Sequence, residues 1–485
     1  MERLRTPSVS PLSQEGLCFA LIGAVLLMWP YFWLGGPLVF SDSGKYVLQG
    51  VTALDWLAGA VLPATEAATD TAGVGTAGAG AAPAPSLAEA TAKADELRSL
   101  PYAVFAAVGT EGPWGRGGLA LAQGFIALFA LWPLVASYAR HAARPLLPAV
   151  VLVALAAVSS LPYFASYLMP DVFGGVVVLY YLLLLGPVRD AGGIGKLSLA
   201  AVGAFALLTH YGNLPLALGL AVVVLTLLAL RRALRLETVA LAVAPICAAA
   251  LVNVAIGMVV SPGGGASITP LRMPLMLARS IEDGPARWHL EEACETREYA
   301  TCAAFPNGIP DNIWLVMWSE EGLSSLDRDL LEKVRAEEST ILWRAFLDYP
   351  AAQTWSLTGN AITQFVHVGL SGLRPSPDDA ARLDEIRRDW REWRYVAETA
   401  ILCGYLLGVG ALLVALVPQR WTFRPDAEIA ATLLAALGGN ALIFGGLSAP
   451  AERYQSRVAW VVIAIAVLLA ARALAARPAT RESAP

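Results

Sequence analysis

Two aspartates and one arginine are the side chains of this sequence whose types and settings could do chemistry together. Asp42 lies in the segment FSDSGKY, Asp171 in LMPDVF and Arg453 in ERYQSR. Two carboxylates at one surface can supply a general base and an electrostatic or metal-binding partner. The planar fork of an arginine donates two parallel hydrogen bonds to phosphate oxygens. The three residues therefore indicate acid–base chemistry beside a phosphate, and the two aspartates are also the candidate ligands of a divalent cation, Mg²⁺ or Mn²⁺.

Five further polar side chains near these patches or at the same predicted surface are expected to contact the substrate. Two follow the first aspartate, two lie in the arginine patch, and one is in the segment LLTHYGNLP. They are Lys45, Tyr46, Tyr454, Arg457 and His210.

Each feature also has a purely structural interpretation. Asp42 has the position of an N-cap for a helix that starts at Ser43. Asp171 follows Pro170, and a proline with an acid in the first turn is ordinary at the start of a helix. The late arginines would suit a headgroup anchor, and a lone histidine at a helix end is often structural. The arrival of two acids at one membrane surface favours the functional interpretation.

The composition is that of a membrane protein. Hydrophobic residues make up 56% of the 485 residues and charged residues only 15%, against about 25% in an average soluble domain. The mean hydropathy is +0.58. Acidic residues exceed basic ones by 39 to 34, so the chain lacks the basic surplus that a nucleic-acid partner requires. We therefore expect an all-α polytopic membrane protein whose partners include membrane lipid.

Long apolar segments place the membrane along the chain. A hydrocarbon core of about 30 Å requires about 20 apolar residues in a helix. The sequence contains about ten such segments, and no small-residue cleavage site follows the first, which is interpreted as an uncleaved anchor. The predicted spans are 16–40, 118–138, 147–163, 170–187, 197–213, 214–230, 238–260, 398–417, 427–447 and 457–472.

The distribution of Lys and Arg predicts the orientation. The connections on one side of the membrane carry 14 basic residues and the short connections on the other side carry 2. Because basic loops stay in the cytoplasm, both termini are predicted to be cytoplasmic. The composition, rich in Ala and Arg, favours a bacterial plasma (inner) membrane. The segment 41–117, the YLMPDVF turn and the segment 261–397 then face outward.

Three regions follow from this topology. Residues 1–260 form an N-terminal transmembrane region of about seven spans, 261–397 an extracytoplasmic loop or cap, and 398–485 a C-terminal region of about three spans. The stretch 63–85 is rich in Ala, Gly, Thr and Pro without an apolar period, and is predicted to be a disordered insert. A capping-box spacing after it suggests a short interfacial helix.

The 261–397 loop holds aromatic residues among charges and is expected to fold as a small cap. Its segment from Ser339 to Leu370 has an amphipathic helical period that suits a membrane surface. Cys294 and Cys302 lie in the predicted oxidising compartment, so a disulfide between them is a hypothesis of the sequence.

Several motifs are absent from the sequence. It contains no Walker A motif, no GxSxG nucleophile elbow, and no CxxC pair or HExxH spacing for zinc. No convincing internal repeat relates the two halves, which weighs against an inverted-repeat transporter.

With these patches and this topology, the sequence resembles the GT-C superfamily of polytopic glycosyltransferases, which includes the protein O-mannosyltransferases and the aminoarabinose transferases of bacterial lipid A. Members carry an acidic residue in the first outward loop, a second acidic motif in the next, and large outward loops further along. Asp42 and Asp171 would be these acids, and Arg453 resembles a late basic element. The first loop departs from the pattern in having one Asp rather than an acidic pair, and the 63–85 insert has no family counterpart.

The resemblance implies a polyprenyl-phosphate-linked sugar as donor and an extracytoplasmic lipid, glycan or protein as acceptor. Asp42 would be the general base, Arg453 with Lys45 would neutralise the departing phosphate, and Asp171 would orient the acceptor or a divalent ion. Two alternatives remain open. One is a transporter or flippase of a lipid-linked glycan, and the other is a non-enzymatic assembly partner whose 261–397 loop docks an extracytoplasmic protein.

Overall fold

The computed structural model describes residues 10–61, 98–187, 191–260, 266–296, 299–417 and 424–476. The predicted insert at 63–85 and the helix expected after it lie outside these ranges. The described residues are mostly helical, with only two short strands. The helices are α1 Gln14–Leu27, α2 Trp29–Leu34, α3 Ser43–Val61, α4 Leu100–Glu111, α5 Gly115–His141, α6 Leu147–Val158, α7 Leu161–Ala165, α8 Phe173–Leu184, α9 Gly193–Leu208, α10 Asn213–Leu230, α11 Leu236–Val260, α12 Leu275–Asp283, α13 Pro285–Ala293, α14 Ala300–Ala304, α15 Ile313–Trp318, α16 Arg328–Asp348, α17 Pro350–Val366, α18 Leu383–Leu416, α19 Arg424–Ala441 and α20 Glu452–Ala476.

Seven helical stretches of the described chain are long and apolar enough to cross a membrane, which makes this an all-α, multi-pass membrane protein. Three shorter apolar helices accompany them, at Leu147–Val158, Pro170–Leu184 and Gly193–Leu208. All ten overlap the segments predicted from the sequence. The seven are Gln14–Leu34, Gly115–His141, Asn213–Leu230, Leu236–Val260, Ala380–Leu416, Pro425–Gly446 and Glu452–Ala475.

The first predicted span, 16–40, is too long at its C-terminal end. The hydroxyl of Ser13 accepts a hydrogen bond from the amide of Gly16 and caps α1. Gly35 then ends α2 in the left-handed conformation, with a φ of 64°. Apolar residues beyond it belong to a strand and a turn, because hydrophobicity alone does not distinguish the end of a helix from a buried extended segment.

Two C-terminal helices begin earlier than the sequence predicted. α18 starts at Leu383 rather than near residue 398 and runs without a break through the cap boundary. α20 starts at Glu452 rather than at 457, so Arg453, Tyr454 and Arg457 are helical and not part of a short turn. Both helices begin with charged residues, so the apolar pattern alone placed their starts too late in the sequence.

The centre of the bundle is α8, in which every residue is buried. Two glycines at its start allow α20 to approach closely: a Cβ on Gly174 would lie 2.9 Å from Nε of Arg457, and one on Gly175 would collide with the ring of Trp460. This contact brings α20 against the segment that carries Asp171.

The 261–397 region contains a folded cap, as expected. A second hydrophobic core of α12, α13, α15 and α16 includes Leu277, Ile281, Val334 and Ile341, all with no solvent exposure. Cys294 and Cys302 form a disulfide with a Cα–Cα distance of 5.4 Å, which confirms the hypothesis from the sequence. The predicted amphipathic segment is two helices, α16 and α17, divided at Tyr349 because Pro350 starts the second.

Two short strands join two connecting segments of the chain. β1 (Leu38–Val39) pairs antiparallel with β2 (Arg374–Pro375), in the register Leu38 with Pro375. This pairing holds the connection after α2 against the segment that leads into α18.

Candidate functional site

One cavity at an end of the helix bundle brings the three sequence patches together. It has a volume of about 390 Å³, and Asp42, Asp171 and Arg453 all line it. His210 contributes to its wall from the connection between α9 and α10. We call this end of the bundle the cavity end. Residues more than 400 positions apart in the sequence therefore share one concave site.

Backbone hydrogen bonds hold the two aspartate-bearing segments side by side. The amide of Leu38 donates to the carbonyl of Ser166 at 2.9 Å, and the amide of Leu168 donates to the carbonyl of Leu38 at 3.0 Å. The buried side-chain amide of Gln123 donates to the carbonyl of Tyr167 at 2.8 Å. This bonding fixes the turn before Asp171 against the strand before Asp42.

Asp42 forms an ion pair that the sequence did not predict. Nη2 of Arg98 lies 2.9 Å from Oδ1 of Asp42, and both side chains are largely buried. The neighbouring Ser99 caps α4 and donates its hydroxyl to the carbonyl of Leu208 at 2.5 Å. Arg98 is thus positioned by α4 and orients the carboxylate of Asp42. Its place in the sequence, outside any apolar or acidic motif, gave no signal.

Asp171 is almost completely buried, with 3% of its surface exposed. It lies in a single turn of 3-10 helix, Pro170–Val172, that leads into α8. The positive charges of Arg453 and Arg457 both act on its carboxylate. The predicted position at a helix start is confirmed, and the carboxyl group is at the same time buried beside two guanidinium groups.

The guanidinium of Arg453 is held by aromatic rings. It lies 4.0 Å from the ring centre of Phe40 and 4.8 Å from that of Tyr454. Nη2 donates to the hydroxyl of Tyr454 at 3.1 Å. Buried Nη1 has no hydrogen-bond partner among the described residues. An unpaired buried donor is costly, and Arg453 lines the cavity, so its guanidinium is well suited to an anionic ligand there.

Arg457 lies behind the cavity wall instead of in it, contrary to the prediction of a substrate contact. It is fully buried, and Nε donates to Asn440 Oδ1 at 3.1 Å. Nη2 donates to Asn213 Oδ1 at 3.3 Å, and the guanidinium lies 3.6 Å from the ring centre of Phe444. Arg457 lies one turn further along the same face of α20 than Arg453, at a depth where it packs against Gly174 of α8. Its charge reaches the site through the field it exerts on Asp171.

His210 is an uncharged hydrogen-bond donor at the cavity wall. Burial lowers the pKa of its ring well below 6.5, and the charges of Arg457, Arg453 and Arg98 lower it further. Nδ1 accepts a hydrogen bond from the amide of Gly212 at 3.1 Å. In the neutral ring the proton is therefore on Nε2, which makes that nitrogen a donor.

The other predicted contacts divide into two groups. Tyr46 and Tyr454 line the cavity, and the ring of Tyr46 meets that of Tyr102 edge-on at 4.9 Å. Lys45 is exposed on α3 and does not line the cavity, because the helical turn directs it away while Tyr46 faces inward. The prediction that Lys45 assists Arg453 is therefore wrong in this geometry.

The cap supplies one wall of the cavity. Thr269, Arg272 and Met276 come from the segment that leads into α12. Arg272 forms an ion pair with Glu338 of α16, whose Oε1 also accepts from the amide of Leu277 at 3.1 Å. Burial raises the pKa of Glu338, while Arg272 opposes that shift. Arg272 was missed from the sequence because no local pattern distinguishes it from the other charges of the cap.

The lining fits an anion better than a divalent cation. Three arginines and two aspartates line the cavity, and Asp42 is already paired with Arg98. No group of three or more Asp, Glu, His or Cys side chains suited to a metal occurs in the described ranges. The two-aspartate metal site proposed from the sequence is therefore a poor fit, since guanidinium groups compete for both carboxylates.

The chain has no match among family models, curated proteins or solved structures.

Proposed function

We propose that this protein is a membrane glycosyltransferase of the GT-C type, which transfers a sugar from a polyprenyl-phosphate donor to an extracytoplasmic acceptor. The observation that carries the proposal is the meeting of Asp42, Asp171 and Arg453 in one cavity at an end of a membrane helix bundle. A lipid-linked donor suits this location because its tail could remain among the spans while its phosphate and sugar enter the cavity.

Asp42 is assigned as the general base. Its carboxylate takes the proton of an acceptor hydroxyl or amine as that group attacks the anomeric carbon of the sugar. Arg98, 2.9 Å away, keeps the carboxylate in a fixed orientation. The bond from the anomeric carbon to the donor phosphate oxygen breaks, and the electron pair leaves with the polyprenyl phosphate.

Arg453 is assigned to the departing phosphate. Charge builds on the phosphate oxygens as the bond breaks, and the guanidinium of Arg453, which lines the cavity, can donate to one of them. Because the aromatic rings of Phe40 and Tyr454 fix the guanidinium in advance, little reorganisation is needed. Nε2 of His210 offers a neutral donor on another part of the wall.

Asp171 is assigned to acceptor orientation. Its burial beside Arg453 and Arg457 fixes the position of a carboxyl group that can hydrogen-bond the acceptor, and no step of this mechanism passes through a metal ion.

The test compares two aspartates of the same helix region. Asp42→Asn removes the base, whereas Asp55→Asn changes an exposed aspartate of α3 that lies away from the cavity. Lipid extracts from cells that carry the wild type, each variant or a deletion are analysed by mass spectrometry for polyprenyl-phosphate sugars and for sugar on extracytoplasmic acceptors.

We expect Asp42→Asn to behave as the deletion, with accumulated donor and unmodified acceptor, and Asp55→Asn to behave as the wild type. Loss of a general base slows a reaction by about 10²- to 10⁴-fold. Wild-type product levels in Asp42→Asn would remove Asp42 as the base. A deletion that changes only the leaflet in which the donor resides, without a chemical change, would favour the flippase alternative.

A further inference from the structure

A second and larger concavity lies on the cap, outside the site described above. Its volume is about 820 Å³, and it is open to solvent at one side. Residues between Ala303 and Leu326 form its lining, so it is built by the segment that includes α15. We call it the cap groove.

Two tryptophans form an aromatic surface in the cap groove. Trp314 and Trp318 are four residues apart on α15, which places them on the same face of the helix. They are 60% and 42% exposed, although their ring area would ordinarily be buried. Exposed aromatic side chains that share one concave surface are typical of a binding site rather than of a random surface.

The segment is held rigidly behind these rings. The disulfide joins Cys294 to Cys302, which is a residue of α14 at the edge of the groove. The carboxylate of Glu337 accepts from the amides of Ala300 and Thr301, at 2.8 and 3.1 Å. Val316 and Met317, between the two tryptophans, are fully buried in the cap core. The groove is therefore anchored on its inner side and its aromatic face is preformed.

The charge of the cap groove has one sign. Its lining contains Glu320 and Glu321, and no Lys, Arg or His is among the described residues that line it. Both glutamates are exposed at the rim. This lining disfavours phosphate and other anions. Aromatic faces beside carboxylates are the surroundings in which proteins bind ammonium groups, because the ring face and the carboxylate both attract the cation.

We propose that the cap groove binds a small ligand that carries an ammonium group. The cation would lie over Trp314 or Trp318 with its charge toward Glu320 and Glu321, and the remainder of the ligand would contact Phe305 and Asn307 along the groove. An amino sugar and a quaternary-ammonium headgroup share this chemistry. The inference is independent of the transferase proposal, since it uses no residue of the first cavity.

The experiment uses the full chain in detergent micelles and saturation-transfer NMR with four probes. Glucosamine is compared with N-acetylglucosamine, which keeps the ring but lacks the charge. Choline is compared with 3,3-dimethyl-1-butanol, its neutral isostere. We expect at least one cation to bind about tenfold more tightly than its neutral counterpart. Preference for glucosamine identifies a sugar ligand, and preference for choline identifies a headgroup ligand.

Three variants test the location. The double variant Trp314→Ala, Trp318→Ala removes the aromatic face. The double variant Glu320→Gln, Glu321→Gln removes the negative charge and keeps the size of the two exposed side chains. Trp355→Ala is the matched control, because Trp355 is 81% exposed on α17 and does not line the groove.

The first two variants should each weaken binding of the cation about tenfold, and the control should bind as the wild type. Equal binding of cations and neutral probes, absence of binding by either cation, or an equal loss in Trp355→Ala would overturn the proposal.

Discussion

Both ends of the helix bundle contain buried charged side chains, but the partners of these side chains differ. At the end opposite the cavity, Oδ1 of Asp426 accepts from the hydroxyl of Tyr138 at 2.8 Å and from Nη1 of Arg472 at 3.2 Å. At the cavity end, the buried guanidinium of Arg453 contacts rings and a tyrosine hydroxyl, and one of its nitrogens lacks a hydrogen-bond partner in the described chain. Both ends use residues of α20.

This difference separates a structural charge from a candidate functional one. A buried ion pair that is closed on itself fixes helices in register. A buried cation with an unused donor beside a cavity is available to bind an anionic ligand. We therefore expect substitutions at the cavity end to affect turnover, and substitutions at the opposite end to affect stability.

Among the charged residues of α20, the largest effect is expected at Arg453. Arg453→Gln should lower the rate of sugar transfer by about 10²- to 10³-fold, because a preorganised donor to the developing phosphate charge is lost. The measurement is product formed per folded protein, in membranes with the donor in excess. A rate within threefold of the wild type would assign Arg453 to structure only.

Asp426→Asn should instead lower the free energy of unfolding, by about 3 kcal/mol, because it removes the negative charge of a largely buried ion pair with Arg472. The thermal midpoint in detergent measures this loss. Transfer per folded molecule should remain at the wild-type value. A selective loss of transfer with unchanged stability would erase the distinction between the two ends.

A smaller, pH-dependent effect on the free energy of unfolding is expected at His210. Its pKa in the folded protein is well below 6.5, because burial and three arginines disfavour the charged ring. Below pH 6.5 the unfolded chain binds a proton at this residue that the folded chain does not, so stability falls as the pH falls. Between pH 6.5 and 5.5 the wild type should lose about 1 kcal/mol relative to His210→Gln.

Unfolding of the two proteins across this pH range measures that difference. Only four histidines occur in the chain, so ¹⁵N-histidine NMR also resolves the tautomer directly, with His210→Gln identifying the signal. A charged ring at pH 6 would contradict the assignment of His210 as a neutral donor.

The smallest effect is expected at an exposed pair of the end opposite the cavity. Nζ of Lys196 lies 2.6 Å from Oε1 of Glu237, and the glutamate is 53% exposed. Glu237→Gln should change the free energy of unfolding by less than about 1 kcal/mol, since solvent and salt screen such pairs. A loss as large as that of Asp426→Asn would mean that the degree of burial does not determine how much each ion pair contributes to stability.

Much of the helix pattern was predictable from the sequence. The predicted apolar segments overlap seven long and three shorter apolar helices, and the cap and its disulfide were also anticipated. The length of an apolar segment is a local property of the sequence, so it can be recognised without knowledge of the fold. The predicted ends were less accurate where charged residues begin a helix, as at Leu383 and Glu452.

The site was only partly predictable. Asp42, Asp171 and Arg453 were identified from their residue types and their common membrane surface, and they do line one cavity. Arg98 and Arg272 were missed, because what makes them part of the site is contact with residues distant in the sequence. Lys45 was misassigned because the direction of a side chain depends on the phase of its helix.

The sequence by itself determined that the chain is helical, membrane-embedded and equipped with acids near one set of helix ends, since each of these depends on local composition and spacing. Only the tertiary structure decided which charges meet. The pairing of β1 with β2, the bonds of Leu38 to Ser166 and Leu168, and the glycines of α8 bring distant segments within contact distance. The different positions of Arg453 at the cavity and Arg457 behind it follow from the same packing, because Arg457 lies one turn further along the same face of α20, where other helices cover it.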